Sequence, residues 1–147
     1  HTRAAARMNP PYNIKFIVRG DPKAQKRHRS GRGYHYDPSK GDKADFLLLA
    51  HKHIPKQPIE GPIFVKVRYY MPIPTSWPKY RKKAAENDLL PHIKTPDLDN
   101  LVKFTLDALA PYWVDDRQVY LMDPGKYYSH TPRTEVTIRP DLPDPIQ

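Results

Sequence analysis

Ile63, Val65, Val67, Tyr69 and Met71 alternate with Phe64, Lys66, Arg68 and Tyr70. A strict two-residue alternation in β-branched and aromatic residues dictates a strand with one buried face. Pro72, Pro74 and Pro78 end it. The rest of the chain has to be built around that strand. Tyr12, Ile14, Phe16 and Val18 alternate with Asn13, Lys15 and Arg19, giving a first strand that stops at Gly20-Asp21-Pro22. Gln118–Met122 reads as a third strand. Thr134, Val136 and Ile138 mark a last one, with Arg133, Glu135 and Arg139 on its other face.

Helical spacing fills the intervals. A helix opens at Pro38 and runs to about Ile54. Its inward face is expected to be Ala44, Leu47, Leu48, His51 and Ile54, with Phe46 and Leu49 beside it. A short basic helix spans Pro78 to Asp88. The central helix carries Leu98, Leu101, Val102, Leu106 and Leu109 on one face. The order β-α-β-α-α-β-β predicts an α+β domain: a small mixed sheet of about four strands with helices packed on one face. It spans residues 12–139. Residues 1–11 read as an N-terminal arm or a vector remnant, and 140–147 as an irregular tail.

A chain of 147 residues is long enough for one domain with a core of its own. Its formal net charge is +9, from 25 Lys+Arg against 16 Asp+Glu. That surplus favours a polyanionic partner, nucleic acid first. No cysteine is present, which excludes disulfides, thiolate zinc sites and cysteine nucleophiles and fits a reducing cytoplasm. The longest aliphatic run, Phe46–Ala50, is far too short to span a bilayer. His1–Arg7 lacks the apolar core of a signal peptide.

Against this basic background stands an acidic cluster. Asp97, Asp99, Asp115 and Asp116 fall within about twenty positions, with Lys103 among them. Like charges at close range repel, so such a cluster needs a compensating cation or a structural duty. A hard divalent ion such as Mg²⁺ is one answer, because it takes one or two carboxylates and keeps its waters. On the central helix Asp99, Asn100, Lys103 and Asp107 lie opposite the apolar face. Residues two apart on a helix point in different directions. Asp97 and Asp99 can therefore share a ligand only if Asp97 sits in a non-helical lead-in, which Pro96 favours. The competing reading makes Asp97 a plain N-cap and the other acids a solvated face.

The run Pro96-Asp97-Leu98-Asp99-Asn100-Leu101-Val102-Lys103, then Leu106-Asp107-Ala108-Leu109, then Asp115-Asp116-Arg117-Gln118-Val119 resembles the signature of RusA-type Holliday junction resolvases. Those are small Mg²⁺-dependent endonucleases of bacteria and their phages that act as homodimers. The resemblance implies that Asp97, Asp99 and Asp116 hold the metal, with Mn²⁺ able to substitute. It implies that Lys103 assists phosphoryl chemistry and that Asp115 is a further acidic site residue, binding metal or orienting water. The implied partner is branched DNA, a four-way junction. Ala110–Val114 departs from the family pattern, which usually has a turn with Asn or Gly there. Lys126 lies where the family often carries a lysine near the site, and it is a candidate DNA contact.

The segment 23–36 has no helical or strand period and reads as a mobile loop. Lys23, Lys26, Arg27, Arg29 and Arg32, interleaved with Tyr34 and Tyr36, suit phosphate neutralisation and base stacking. His51 and His53 are two apart and face different ways, so they read as helix-surface histidines rather than a metal pair. Two other functions fit the same residues: a non-catalytic nucleic-acid-binding module, or a metal-dependent nuclease for a flap or RNA.

Overall fold

A computed structural model describes residues 13–26, 29–31 and 34–141. The expected arm, 1–11, and most of the expected tail, 142–147, lie outside the described residues. Four strands form a mixed sheet in the order β1 (Ile14–Arg19), β6 (Arg133–Pro140), β4 (Ile63–Pro72), β5 (Val119–Ser129). β6 runs antiparallel to both β1 and β4, while β5 runs parallel to β4. Among the described residues three α-helices accompany it: α1 (Lys40–Ala50), α2 (Lys79–Ala84) and α3 (Leu98–Leu109). This is the α+β architecture that the sequence pattern predicts.

β4 occupies the centre because its alternation is strict. Ile63, Val65, Val67, Tyr69 and Met71 are all buried, and the residues between them are not. Leu101, Phe104, Ala108 and Leu109 of α3 and Phe46 and Ala50 of α1 pack into the same core. Phe46 meets Phe104 edge-on at 6.0 Å. The other sheet face stays half-exposed. There Arg139 lies over Phe64 and Arg133 over Tyr70, while Arg68 pairs with Asp123.

Four expectations need correction. The basic segment is not structureless: β2 (Arg29–Gly31) and β3 (Tyr34–Tyr36) form a short antiparallel hairpin, so the order becomes β-β-β-α-β-α-α-β-β. The inward face of α1 is rotated from the expected one. Leu48 and Leu49 are exposed, as is Ala44, while Phe46 and Ala50 are buried. Lys43 shares that inward stripe because Asp37 and Asp107 take its ammonium at 2.7 and 3.3 Å. On α3, Val102 and Leu106 are only partly buried, and Phe104, Thr105 and Ala108 fill the core instead.

Finally, β5 continues far beyond Met122, through Pro124 and Gly125. It can do so because it is an edge strand. The carbonyl of residue 126 accepts from His92 N–H and Tyr128 N–H donates to the Leu90 carbonyl, both away from β4. By the same two-residue period, Pro124 turns its donorless nitrogen outward, where no ladder bond is lost.

The α3 packing makes a stability prediction. Leu101 is fully buried at the α3–sheet interface. Leu101→Ala should cost about 2–5 kcal/mol in urea unfolding, and a cost below about 1 kcal/mol would show that α3 is not an integral part of the core.

Candidate metal and nucleic-acid site

The site begins at the lead-in to α3. Asp97 is the N-cap, in an extended conformation (φ −66°, ψ 147°), and its carbonyl accepts from Leu101 N–H at 3.2 Å. Its side chain makes no capping hydrogen bond. The plain N-cap reading therefore fails to employ the carboxylate, and Asp97 occupies the non-helical lead-in expected of it. From the first turn of the helix, Asp99, Lys103 and Asp107 follow at intervals of four and lie exposed on one face.

A short 3₁₀ turn, Ala110–Tyr112, carries the chain back under that face. It replaces the Asn- or Gly-bearing turn of the family pattern, and it buries Tyr112 and Trp113. The indole N–H of Trp113 points at Asp116 Oδ1, 3.4 Å away. Asp99, Val102, Lys103, Leu106, Asp107, Trp113, Asp116 and Val119 then line one open cleft of about 330 Å³. Sequence reasoning missed Trp113, because nothing in an apolar residue announces that its ring nitrogen will orient an acid.

The two adjacent acids have different fates. Asp115 caps the 3₁₀ turn Asp116–Gln118, accepting from Arg117 N–H at 2.8 Å, while Gln118 Oε1 accepts from Asp115 N–H at 2.6 Å. The Arg117 guanidinium closes on the same carboxylate at 2.9 Å. That side-chain bond, then the backbone bond, holds the Asp115 carboxyl down at about 2. Gln118 fastens the turn to the body by donating to the Ile59 and Gly61 carbonyls. Asp116 is left facing the cleft.

Of the sequence-predicted acids, the structure thus brings Asp99 and Asp116 together with Lys103. Asp97 is not among the residues that line the cleft, and Asp115 is engaged in its cap. Among the described residues, no three acidic or histidine side chains are grouped to hold a metal ion. The donor chemistry still fits a hard divalent cation: of the three carboxylates that line the open cleft, Asp107 pairs with Lys43, while Asp99 and Asp116 are exposed and not ion-paired among the described residues. Such an ion takes one or two carboxylates and fills its remaining positions with water.

The basic segment is anchored beside this site. Gln25 N–H donates to the Asn100 carbonyl in the first turn of α3 at 3.0 Å. Lys26 N–H donates to Ser39 Oγ, and Gln25 Nε2 to Asp37. Lys23 and Lys26 are exposed, with a loose approach of Lys26 to Asp42 at 3.9 Å. Arg29 belongs to β2. Arg27 and Arg32 lie outside the described residues. Lys126, the other predicted DNA contact, turns inward, and its ammonium donates to the Lys94 and Pro96 carbonyls. Of the two histidines, His53 stacks on Phe16, and His51 lies beside the Tyr112 hydroxyl. Among the described residues no helix is long and apolar enough to cross a membrane.

Two comparisons with known proteins bear on this chain. The family model of endodeoxyribonuclease RusA matches residues 19–139. A protein of Bacillus subtilis (strain 168), described as uncharacterized protein YqaN, is 41% identical over 135 residues, covering 86% of this chain and 95% of that protein.

The Asp115 cap has a pH signature. A carboxylate whose folded pKa is depressed contributes stability above its unfolded value and loses it as pH falls through the folded one. Asp115 should therefore contribute fully above about pH 4 and lose that contribution as pH approaches 2. Asp115→Asn should flatten the acid limb of the stability–pH curve over that window, measured by urea unfolding at stepped pH. An unchanged limb would mean that the cap is not populated in solution.

Proposed function

The chain belongs to the RusA endodeoxyribonuclease family, and from that premise we propose that it is a Mg²⁺-dependent endonuclease that resolves four-way DNA junctions by paired symmetric incisions. One observation supports this above the others. Two carboxylates with no ion pair among the described residues, Asp99 and Asp116, and one ammonium, Lys103, face a common open cleft in a chain whose net charge is +9. A plain binding module has no use for acids on the surface that meets phosphate, because they repel it.

In this reading Asp99 and Asp116 hold the ion, and Asp97 reaches it from the helix lead-in. When bound, the ion supplies Lewis acidity, polarising the phosphate and acidifying a water. Lys103, one turn beyond Asp99, offsets negative charge that grows on the phosphate oxygens during attack. Trp113 and the Asp115–Gln118 turn keep Asp116 aimed at the cleft. Asp115 thus serves by shaping the turn rather than by touching the ion. Lys23, Lys26, Arg27, Arg29 and Arg32 grip the sugar-phosphate backbone next to the cut. A closed two-fold homodimer would supply the two sites that symmetric strands require. The half-exposed faces of β4 and β6 are candidate surfaces for it.

The deciding experiment compares a labelled four-way junction, a flap, a linear duplex and an RNA, in Mg²⁺ and in EDTA. Paired incisions in the junction alone, and only with the metal, are expected. Binding without any cleavage would assign the chain to a non-catalytic module, and preferential cutting of flap or RNA would change the substrate. Asp99→Asn and Asp116→Asn should abolish incision while junction affinity holds, and Lys103→Met should slow it about 10²–10³-fold. Cutting by both asparagine variants at the parent rate would overturn the site.

The grip is tested separately. Replacing Lys23, Lys26 and Arg29 with Gln should weaken junction binding and lower its salt slope by about 0.9 for each phosphate left without its cation. An unchanged slope would assign the segment to solvent.

A further inference from the structure

Lys126 lies beside Tyr69 across the β4–β5 pair, on the sheet face that carries the helices. Its ammonium donates to the Lys94 carbonyl and to the Pro96 carbonyl, each at 2.6 Å. Both acceptors belong to the connector that delivers Asp97 to α3. The same connector is already fastened to the outer edge of β5. Tyr128 N–H donates to the Leu90 carbonyl at 2.9 Å, His92 N–H donates to the Lys126 carbonyl at 3.1 Å, and Pro91 bridges Tyr127. Residue 126 therefore holds the connector twice, once by its backbone and once by its side chain.

The chemistry of the side chain decides what it can do. An ammonium has three donors, and two are spent on main-chain carbonyls. Hydrogen bonds from a charged donor are short and roughly twice as strong as neutral ones. Its third donor remains, but a phosphate that drew the ammonium off either carbonyl would release the connector. The peptide it holds at Pro96 adjoins Asp97, whose carbonyl starts the α3 ladder through Leu101 N–H. A displaced Pro96 would move Asp97 and the first turn of α3 with it, Asp99 included.

We infer that Lys126 is a positioning residue: it fixes the turn that presents Asp97 beside Asp99, and it does not contact DNA. The inference rests on the metal-dependent reading of the cleft. It also makes a claim about the metal-free protein, where the connector itself is the object.

Lys126→Met keeps the length of the side chain and removes its donors. Four measurements on the full chain are compared with the parent. Backbone amide exchange across residues 97–101 of the metal-free variant should speed up. Mn²⁺ affinity by calorimetry should fall about 10–100-fold, with junction cleavage falling in parallel. The salt slope of junction binding, in EDTA, should stay unchanged. Should Lys126→Met fail to fold, Lys126→Ala with added propylamine takes its place, and the amine should restore part of the missing cleavage. A salt slope lower by about 0.9 with Mn²⁺ affinity unchanged would make Lys126 a phosphate contact and overturn the inference. Unchanged exchange and unchanged Mn²⁺ affinity would overturn it as well. If the parent chain neither binds Mn²⁺ nor cuts DNA, the nuclease reading falls instead, and the exchange measurement still decides what Lys126 holds.

Discussion

The hydrogen bond between Tyr69 and Thr105 sets the geometry on which the site depends. The two hydroxyls meet at 2.7 Å inside the core, and Thr105 donates on to the Leu101 carbonyl one turn earlier in α3. Burial pushes the Tyr69 phenol up, so it stays a neutral donor–acceptor. An unpaired buried hydroxyl costs about 1–3 kcal/mol. Sliding α3 by one residue along β4 would leave the Tyr69 hydroxyl unpaired, since Thr105 keeps its bond to Leu101 within the helix, while the apolar packing around them would tolerate the move far better. The polar pair thus selects one register of helix on sheet. That register places Asp99 and Lys103 over the start of β5, where Asp116 arrives. Nonspecific apolar packing gives the domain its stability, and one polar contact gives the cleft its alignment.

Charge pairing separates structural acids from the others. Asp37 and Asp107 share Lys43, Asp88 and Glu135 share Arg133, Asp123 meets Arg68, and Asp141 meets Arg139. Lys43 first, and then backbone and side-chain donors, hold the Asp37 carboxyl far below its usual range. Asp97, Asp99 and Asp116 have no such partner among the described residues. In a chain with 25 Lys+Arg, cations are not scarce. Leaving exposed acids unpaired around the α3 N-terminus costs little in water and keeps their oxygens open to an incoming cation.

The parts of this picture legible in the sequence are those in which periodicity and burial coincide. The β4 alternation, the polar stripe of α3 and the non-helical place of Asp97 all follow from spacing. The hairpin β2–β3 was hidden because strands of three residues are too short to show an alternation. The α1 face was misplaced because Lys43 is held inward by two aspartates, one of them 64 residues away; a local pattern cannot contain that partner. Asp115 and Asp116 are indistinguishable as letters, and only the direction of a 3₁₀ turn tells cap from cleft. Lys126 is illegible for a deeper reason. Its partners are backbone carbonyls, which every residue has, so no side chain elsewhere in the sequence answers to it.

The placement of the basic segment resolves a conflict built into any such site. Carboxylates that hold a cation repel the phosphate chain that the cation must meet. Attraction has to come from cations close enough to act before screening removes them, and screening sets in over about 8 Å at physiological salt. The bond from Gln25 to Asn100 meets that demand, because it ties the start of the basic segment to the very turn of α3 that carries Asp99. The other anchors of the segment, Lys26 on Ser39 and Gln25 on Asp37, lead into α1, whose Lys43 reaches Asp107 at the cleft wall. Basic segment and acid cluster therefore share one fastening. A displacement of the α3 N-terminus moves both together, so the spacing between the lysines of the segment and the carboxylates is preserved where a loop rooted elsewhere would let it drift.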